Sequence, residues 1–200
     1  MSSNKLLLLI CLLPLRLCAQ HERMPGQSTL TLYLGGGLSA YQGRAGTPSG
    51  LEAPTKTRHP IGTFRLLWHP DHLLRVGLES GWLRFYSYTI NDNGVRSSTE
   101  VRATPILVVF SMPVGGHLKL YSGSGSFIVH SILKDNDKVR SSAHSLGWML
   151  GAGYEWKLSG RKWLSLEGKW LRSSTSKDGS LSIQALLRWD VLNWQNNRRL

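Results

Sequence analysis

The 200-residue sequence predicts an all-β chain of eight antiparallel strands in up-and-down order, closed into a barrel. Three observations lead there. Apolar residues recur at every second position in segment after segment, large apolar groups and small or charged ones divide between opposite faces of the same strands, and the connections alternate between long and short.

The strands follow in order. Over 28–41, Leu30, Leu32, Leu34, Leu38 and Ala40 alternate with Thr29, Thr31, Tyr33 and Ser39. Gly35-Gly36-Gly37 inside it has no phosphate-loop lysine and opens no helix, so relief of barrel curvature is its role. Segment 59–69 sets Phe64, Leu66 and Trp68 against Thr63, Arg65 and Leu67, and His69-Pro70-Asp71-His72 turns the chain tightly. Over 73–87, Leu74, Val76, Leu78 and Trp82 oppose Arg75, Gly77, Glu79 and Gly81. Segment 101–112 is apolar throughout, so its facing is ambiguous; a turn over 113–116 leads into 117–133.

The sixth strand, 145–156, is the plainest: Leu146, Trp148, Leu150, Ala152, Tyr154 and Trp156 share one parity, and Ser145, Gly147, Met149, Gly151, Gly153 and Glu155 the other. Ser159-Gly160-Arg161 is the next tight turn. Segment 162–172 sets Leu164, Leu166 and Trp170 against Ser165, Glu167 and Lys169. The last strand, 180–191, sets Leu181, Ile183, Ala185, Leu187, Trp189 and Val191 against Ser180, Ser182, Gln184, Leu186, Arg188 and Asp190.

Long connections at 42–58, 88–100, 134–143 and 173–179 sit at one end of this array and the short turns at the other. The face chemistry then decides which side is wet. A soluble barrel points its apolar side chains inward. Here the apolar face carries Trp68, Trp82, Trp148, Tyr154, Trp156, Trp170 and Trp189, several near strand ends, where an aromatic girdle would meet a membrane interface. The opposite face carries Arg65, Arg75, Glu79, Glu155, Glu167, Lys169 and Arg188, which suit an ion-paired lumen. The expected fold is therefore an eight-stranded antiparallel up-and-down transmembrane β-barrel with long extracellular loops and short periplasmic turns.

Domain organisation is simple. Lys5, the apolar run 6–15 and Cys18-Ala19 read as a secretory signal over 1–19, cut before Gln20. A short N-terminal segment (20–27), the barrel (28–191) and a basic C-terminal tail (192–200) follow. Both cysteines, Cys11 and Cys18, fall in the leader, so the mature chain holds no disulfide. Mean hydropathy is -0.17, and beyond the leader no apolar run reaches the ~20 residues of a spanning helix.

The net charge is +12, and losing Lys5 and Arg16 with the leader leaves +10. Such a balance favours anionic partners. Nucleic acid is not the expected one, because the chain has no long like-charge run, no zinc spacing and no aromatic-basic signature. The cations gather in the long connections and at adjoining strand ends: Arg44, Lys56, Arg58, Arg84, Arg96, Arg102, Lys134, Lys138, Arg140, Arg172 and Lys177. They form a rim suited to lipopolysaccharide phosphates or to plain solvation.

With its leader ending at Ala19-Gln20, its TPILVVFSMPV (104–114) entering a turn, its glycine-rich LYSGSGSF (120–127) and its WMLGAGYEWKL (148–158), the chain resembles the small eight-stranded outer-membrane β-barrel proteins of OmpA/OmpX-like architecture. The resemblance implies a bacterial outer-membrane location, contact with outer-membrane lipid and lipopolysaccharide, and insertion by the barrel assembly machinery. Many such barrels end in an aromatic assembly signal, for which Trp189 or Trp194 could serve.

No catalytic, cofactor or metal site is expected. In His130-Ser131 and His144-Ser145, neighbours on a strand point to opposite faces, so neither pair is a nucleophile and its base; a cross-strand set using Glu79 stays open. Asp135-Asn136-Asp137 lacks the bidentate glutamate of a calcium loop, and Asn91-Asp92-Asn93-Gly94 is turn chemistry. Three functions follow in order of preference. The first is a non-enzymatic outer-membrane barrel with a structural, lipopolysaccharide-contacting or adhesive role through its loops. The others are a soluble periplasmic or secreted ligand-binding barrel and a lipid A-modifying outer-membrane enzyme. The loop partner is not specified by the sequence.

Overall fold

The computed structural model describes residues 27–43, 55–70, 73–92, 95–134, 138–174 and 178–195. The leader, the segment before Gln27, the Asp135-Asn136-Asp137 stretch and the last tail residues lie outside them.

Nine strands are described: β1 (Gln27–Gln42), β2 (Thr55–Lys56), β3 (Arg58–His69), β4 (Arg75–Asp92), β5 (Val95–Pro113), β6 (Leu118–Lys134), β7 (Lys138–Ser159), β8 (Lys162–Ser173) and β9 (Gly179–Gln195). All pairings are antiparallel. β1 pairs with β3 on one side and β9 on the other, and the β4–β5 pairing completes a ring of eight, with β2 as a short outrigger on β4. Closure satisfies the main-chain groups of every strand at the level of the ring, which a bilayer demands.

Alternation separates the two faces. On β1, Leu34 and Leu38 are exposed while Thr31, Tyr33 and Ser39 are buried. On β7, Leu146 and Leu150 are exposed while Ser145 and Met149 are buried. The exterior is a belt of leucine, isoleucine, valine, phenylalanine and tryptophan: Leu38 is 68% exposed, Ile183 66% and Leu146 70%. Such a surface is costly in water and ordinary in lipid. The soluble barrel, which needs the apolar face turned inward, does not fit it.

The facing of 101–112 is settled. Val101, Ala103, Leu107, Val109 and Ser111 point into the lumen, and Ile106, Val108, Phe110 and Met112 point out. Both faces are apolar over most of this stretch, although the inward Leu107 stands opposite Glu79 of β4 and the inward Ser111 opposite Arg75.

Four strands, β4, β5, β7 and β9, run further than their sequences suggest. β4 continues to Asp92 and β5 begins at Val95, so most of the expected 88–100 loop is ladder; β6 and β7 likewise pair up to Lys134 opposite Lys138. β7 has 22 residues, about twice the 9–11 that cross a bilayer. The surplus of β4 to β7 projects beyond the belt as a four-stranded sheet. β9 continues to Gln195, past the expected boundary at 191, and Trp194 stands opposite Ser28 of β1. The short-turn end is tight: Val114 N–H donates to Leu118 C=O at 3.0 Å, and Gly160 turns the chain at φ 51°, a conformation that glycine takes without strain.

Leu150→Arg places a cation on the belt's lipid face and is expected to cost about 2–4 kcal/mol, read as a lower urea midpoint for folding into lipid vesicles. Leu73→Arg, beside the short turns, is expected to cost at most about 1 kcal/mol in the same assay.

Candidate functional site

Two places concentrate polar chemistry: the lumen, and the outward face of the projecting sheet.

In the lumen, all seven residues of the expected charge set are buried, from Arg65 and Glu167 at 0% to Arg188 at 8% exposure. Arg65 on β3 is the hub. Its Nε donates to Glu79 Oε2 at 2.5 Å, and its two terminal nitrogens donate to Glu167 at 3.0 and 2.7 Å. Planar bidentate pairing of this kind suits arginine and not lysine. Lys169 donates to the other Glu79 oxygen at 3.0 Å and lies 3.5 Å from Glu167, closing a four-membered circuit of alternating sign. Ser165 donates to Glu167 at 3.1 Å, and Thr63 donates to Gln184 at 2.6 Å.

A second cluster surrounds Glu155, which takes bonds from Lys119, from Arg188 at 2.6 Å and from the Tyr33 hydroxyl at 2.9 Å. Arg188 also reaches Asp190 at 2.9 Å, and Thr31 donates to the same carboxylate at 3.0 Å. Tyr33 couples the clusters, since its ring lies 5.2 Å from the Arg65 guanidinium, which also sits 4.2 Å from the Tyr121 ring. Arg75 is buried on the same inner face.

Lys119, Tyr33 and Tyr121 were not in the expected set. Their parity is the signal that could have found them: Lys119 and Tyr121 alternate with the outward Leu118 and Leu120. The pairing of Arg65 with Glu167 carries no local signal, because it joins β3 to β8 across the lumen.

Above these clusters the mouth of the lumen is aromatic. A register shift between Arg84 and Tyr86 brings Phe85 and Tyr86 both to Tyr41, at centroid distances of 5.9 and 5.1 Å. The Tyr41 hydroxyl donates to Asp178 at 2.5 Å, tying β1 to the β8–β9 connection.

Outside, the tryptophans fall in two tiers. Trp68, Tyr154, Trp156 and Trp189 stand toward the short turns, with Tyr154 and Trp156 rings 4.7 Å apart and Lys162 Nζ 5.4 Å from the Trp189 ring. Trp82, Trp148 and Trp170 stand toward the other end, and Trp148 meets Trp170 edge to face at 4.8 Å.

Beyond the upper tier comes the basic rim. Arg84 and Arg102 stand opposite each other in register, and both ion-pair with Glu100; Arg102 does so bidentately at 2.7 and 2.8 Å. His130 stands opposite Arg102, Lys134 and Arg140 are exposed further along β6 and β7, Arg172 is exposed opposite Trp148, and Lys56 sits on β2. Arg44 and Lys177 lie outside the described residues, as do the side chains of Arg96 and Lys138.

The nucleophile readings fail on geometry. His130 and His144 are exposed on the outer face, whereas Ser145 is buried and bonded to Ser173 at 2.6 Å. Glu79, the acid of the cross-strand alternative, is held in the lumen by Arg65 and Lys169. Among the described residues, no cluster of histidine, cysteine, aspartate and glutamate could hold a metal ion.

Removing one member of the lumen circuit leaves its partner charges buried without compensation. Glu167→Gln is expected to cost about 3–5 kcal/mol, read as the urea midpoint for refolding into vesicles. On the rim, the Arg102 guanidinium bonded to Glu100 holds its carboxyl below its usual value. A carboxyl lowered in this way adds stability above its ordinary pKa and loses it as pH falls through the lowered one. A carbon-13 titration in micelles is expected to place the Glu100 midpoint below that of an ordinary glutamate, and Arg102→Gln to move it up.

No protein-family model and no curated protein matches the chain. Solved structures do. The attachment invasion locus protein Ail of Yersinia pestis, crystallised with the heparin analogue sucrose octasulfate, superposes with a TM-score of 0.50 at 10% identity over 83% of this chain and 100% of that one. Neisserial surface protein A gives 0.40 at 11% identity over 84% and 99%. The outer membrane protein OprG of Pseudomonas aeruginosa gives 0.39 at 9% identity over 86% and 97%. With its closed ring, apolar exterior and ion-paired interior, the chain has the fold of the small bacterial outer-membrane β-barrel proteins.

Proposed function

We propose that this protein is a non-enzymatic integral barrel of the bacterial outer membrane that presents a basic rim to the phosphates of lipopolysaccharide. One observation carries the reading: Arg84, Arg102, Lys134 and Arg140 follow Trp82 and Trp148 on the extensions of β4 to β7, with Glu100 holding two of them in place, and Arg172 is exposed at the upper tryptophan tier opposite Trp148. In a membrane that height is where lipid phosphates lie, and guanidinium groups bind phosphate through paired donors. A polyanion, sucrose octasulfate, accompanies the Ail structure, which agrees with an anionic ligand for such a surface. The two tryptophan tiers act as the interfacial girdles. Insertion would fall to the barrel assembly machinery, with the exposed Trp194 at the end of β9 as the aromatic signal.

Fractionation tests the location: the protein should remain with outer membranes until detergent is added, and its gel migration should shift on boiling. Binding tests the rim. Replacing Arg84, Arg102 and Arg172 together with glutamine is expected to lower affinity for purified lipopolysaccharide about tenfold or more, and salt to weaken the wild-type interaction. Equal binding to dephosphorylated lipopolysaccharide would sink the reading. Unchanged lipid A on overproduction is expected, and a new acylation pattern would turn attention to the enzymatic alternative.

A further inference from the structure

The short turns at the lower end of the barrel are unequal in charge. The β3–β4 connection has no lysine or arginine over 70–74, and the β5–β6 connection has none over 114–117. The β7–β8 hairpin carries Lys157, Arg161 and Lys162, all exposed. The other described lysines and arginines at this end, Arg75, Lys119 and Arg188, are buried in the lumen. Among the described residues, no carboxylate pairs with the three hairpin cations. Glu155 and Asp190, the acids of the adjoining strand ends, are taken up by Lys119 and Arg188.

The hairpin is held in place. Gly160 turns the chain at φ 51°, and Asp190 N–H of β9 donates to Arg161 C=O at 3.1 Å, so the neighbouring strand fixes the turn. Two of the cations rest on indoles: Lys157 Nζ lies 5.8 Å from the Trp163 ring, and Lys162 Nζ 5.4 Å from the Trp189 ring. Trp189 and Trp156 belong to the lower tier and are exposed on the outer face, where tryptophan meets the membrane interface. A lysine stem can lie along such an edge while its ammonium reaches the headgroups.

We propose that the β7–β8 hairpin is a headgroup site for an anionic phospholipid of the leaflet at the short-turn end. Net charge sets the choice of headgroup. A zwitterionic headgroup brings an ammonium into the field of three unpaired cations, whereas a glycerol-phosphate headgroup brings negative charge alone. The surroundings favour a lipid over a soluble polyanion, because Trp156, Leu158 and Leu164 are exposed beside the cations and suit acyl chains. The site rests on the outer-membrane reading only for which leaflet this end meets.

The test uses the full chain in maltoside micelles and two short-chain probes, dihexanoyl phosphatidylglycerol and dihexanoyl phosphatidylcholine, with nitrogen-15 spectra reporting the indole N–H groups. Phosphatidylglycerol is expected to shift the Trp163 and Trp189 indoles saturably and phosphatidylcholine not, and added salt to weaken the first interaction. Replacing Lys157, Arg161 and Lys162 together with glutamine breaks no ion pair. The barrel should therefore keep its heat-dependent migration while affinity for the anionic probe falls about tenfold. The comparison of the two probes on the unaltered chain is independent of how that variant folds. Equal response to both probes, shifts confined to Trp82, Trp148 and Trp170, equal affinity for glycerol phosphate without acyl chains, or undiminished affinity in the folded variant would each overturn the proposal. Replacing Arg84, Arg102 and Arg172 with glutamine should leave the lower indoles responding as before. Loss of lipopolysaccharide binding alone would thus strike the rim reading and leave this site standing.

Discussion

Eight strands closed into a ring enclose a space that side chains fill and a column of water does not. That constraint decides most of what this sequence must do. Any ionic group turned inward has to find its countercharge among other inward groups, because neither lipid nor bulk water is within reach. Arg65 meets the condition by bridging two carboxylates on two strands, and Lys169 joins the same two carboxylates from a third direction. The Glu155 cluster repeats the solution nearer the short turns, with Lys119 and Arg188 sharing one carboxylate. A hydrophobic interior would satisfy the same space, as it does around Leu107, Val109 and Phe127. The ionic half adds specificity of register: a slip of one residue on β3 or β8 would turn Arg65 or Glu167 toward lipid.

The exterior follows from the same parity. Once odd or even positions are committed to the lumen, the remaining ones face lipid and must be apolar across the belt, which is why leucine and tryptophan dominate there. Small residues enter where strands approach closely. A side chain at Gly35 or Gly37 would strike the main chain of β9, so the glycine run on β1 permits the β1–β9 contact that closes the ring.

Parity, strand number and the division of faces were legible in the sequence because lipid imposes a contrast between neighbouring residues that survives in the primary structure. Three features were not legible, for physical reasons. Segment 101–112 places apolar residues on both parities, so Val109 facing inward and Val108 facing outward carry the same chemistry. Above the belt, both faces of the sheet meet water, and a stretch such as Lys138-Val139-Arg140-Ser141-Ser142 has the composition of a loop. Its strand character comes from the ladder with β6 and not from its own pattern. The inward charges could be named from parity, but their partners could not. The register of each strand with its neighbours and the tilt of the ring decide whether Glu79 or Glu167 comes within reach of Arg65, and both are properties of the closed barrel.

These levels together locate where activity can reside. Going up the axis, Trp163 lies against Arg188 at 5.0 Å, the two ion clusters follow, and Tyr41, Phe85 and Tyr86 pack together at the mouth. Successive layers of bonded or packed side chains make the interior a structural element in its own right. The projecting sheet is held differently. It has no lipid around it and no lumen to fill, and Arg102, Lys134 and Arg140 are exposed on it. Stability of the barrel thus depends on groups that solutes do not reach, while the groups that solutes do reach contribute little to closing the ring. That separation lets the rim change charge without unfolding the membrane-spanning part.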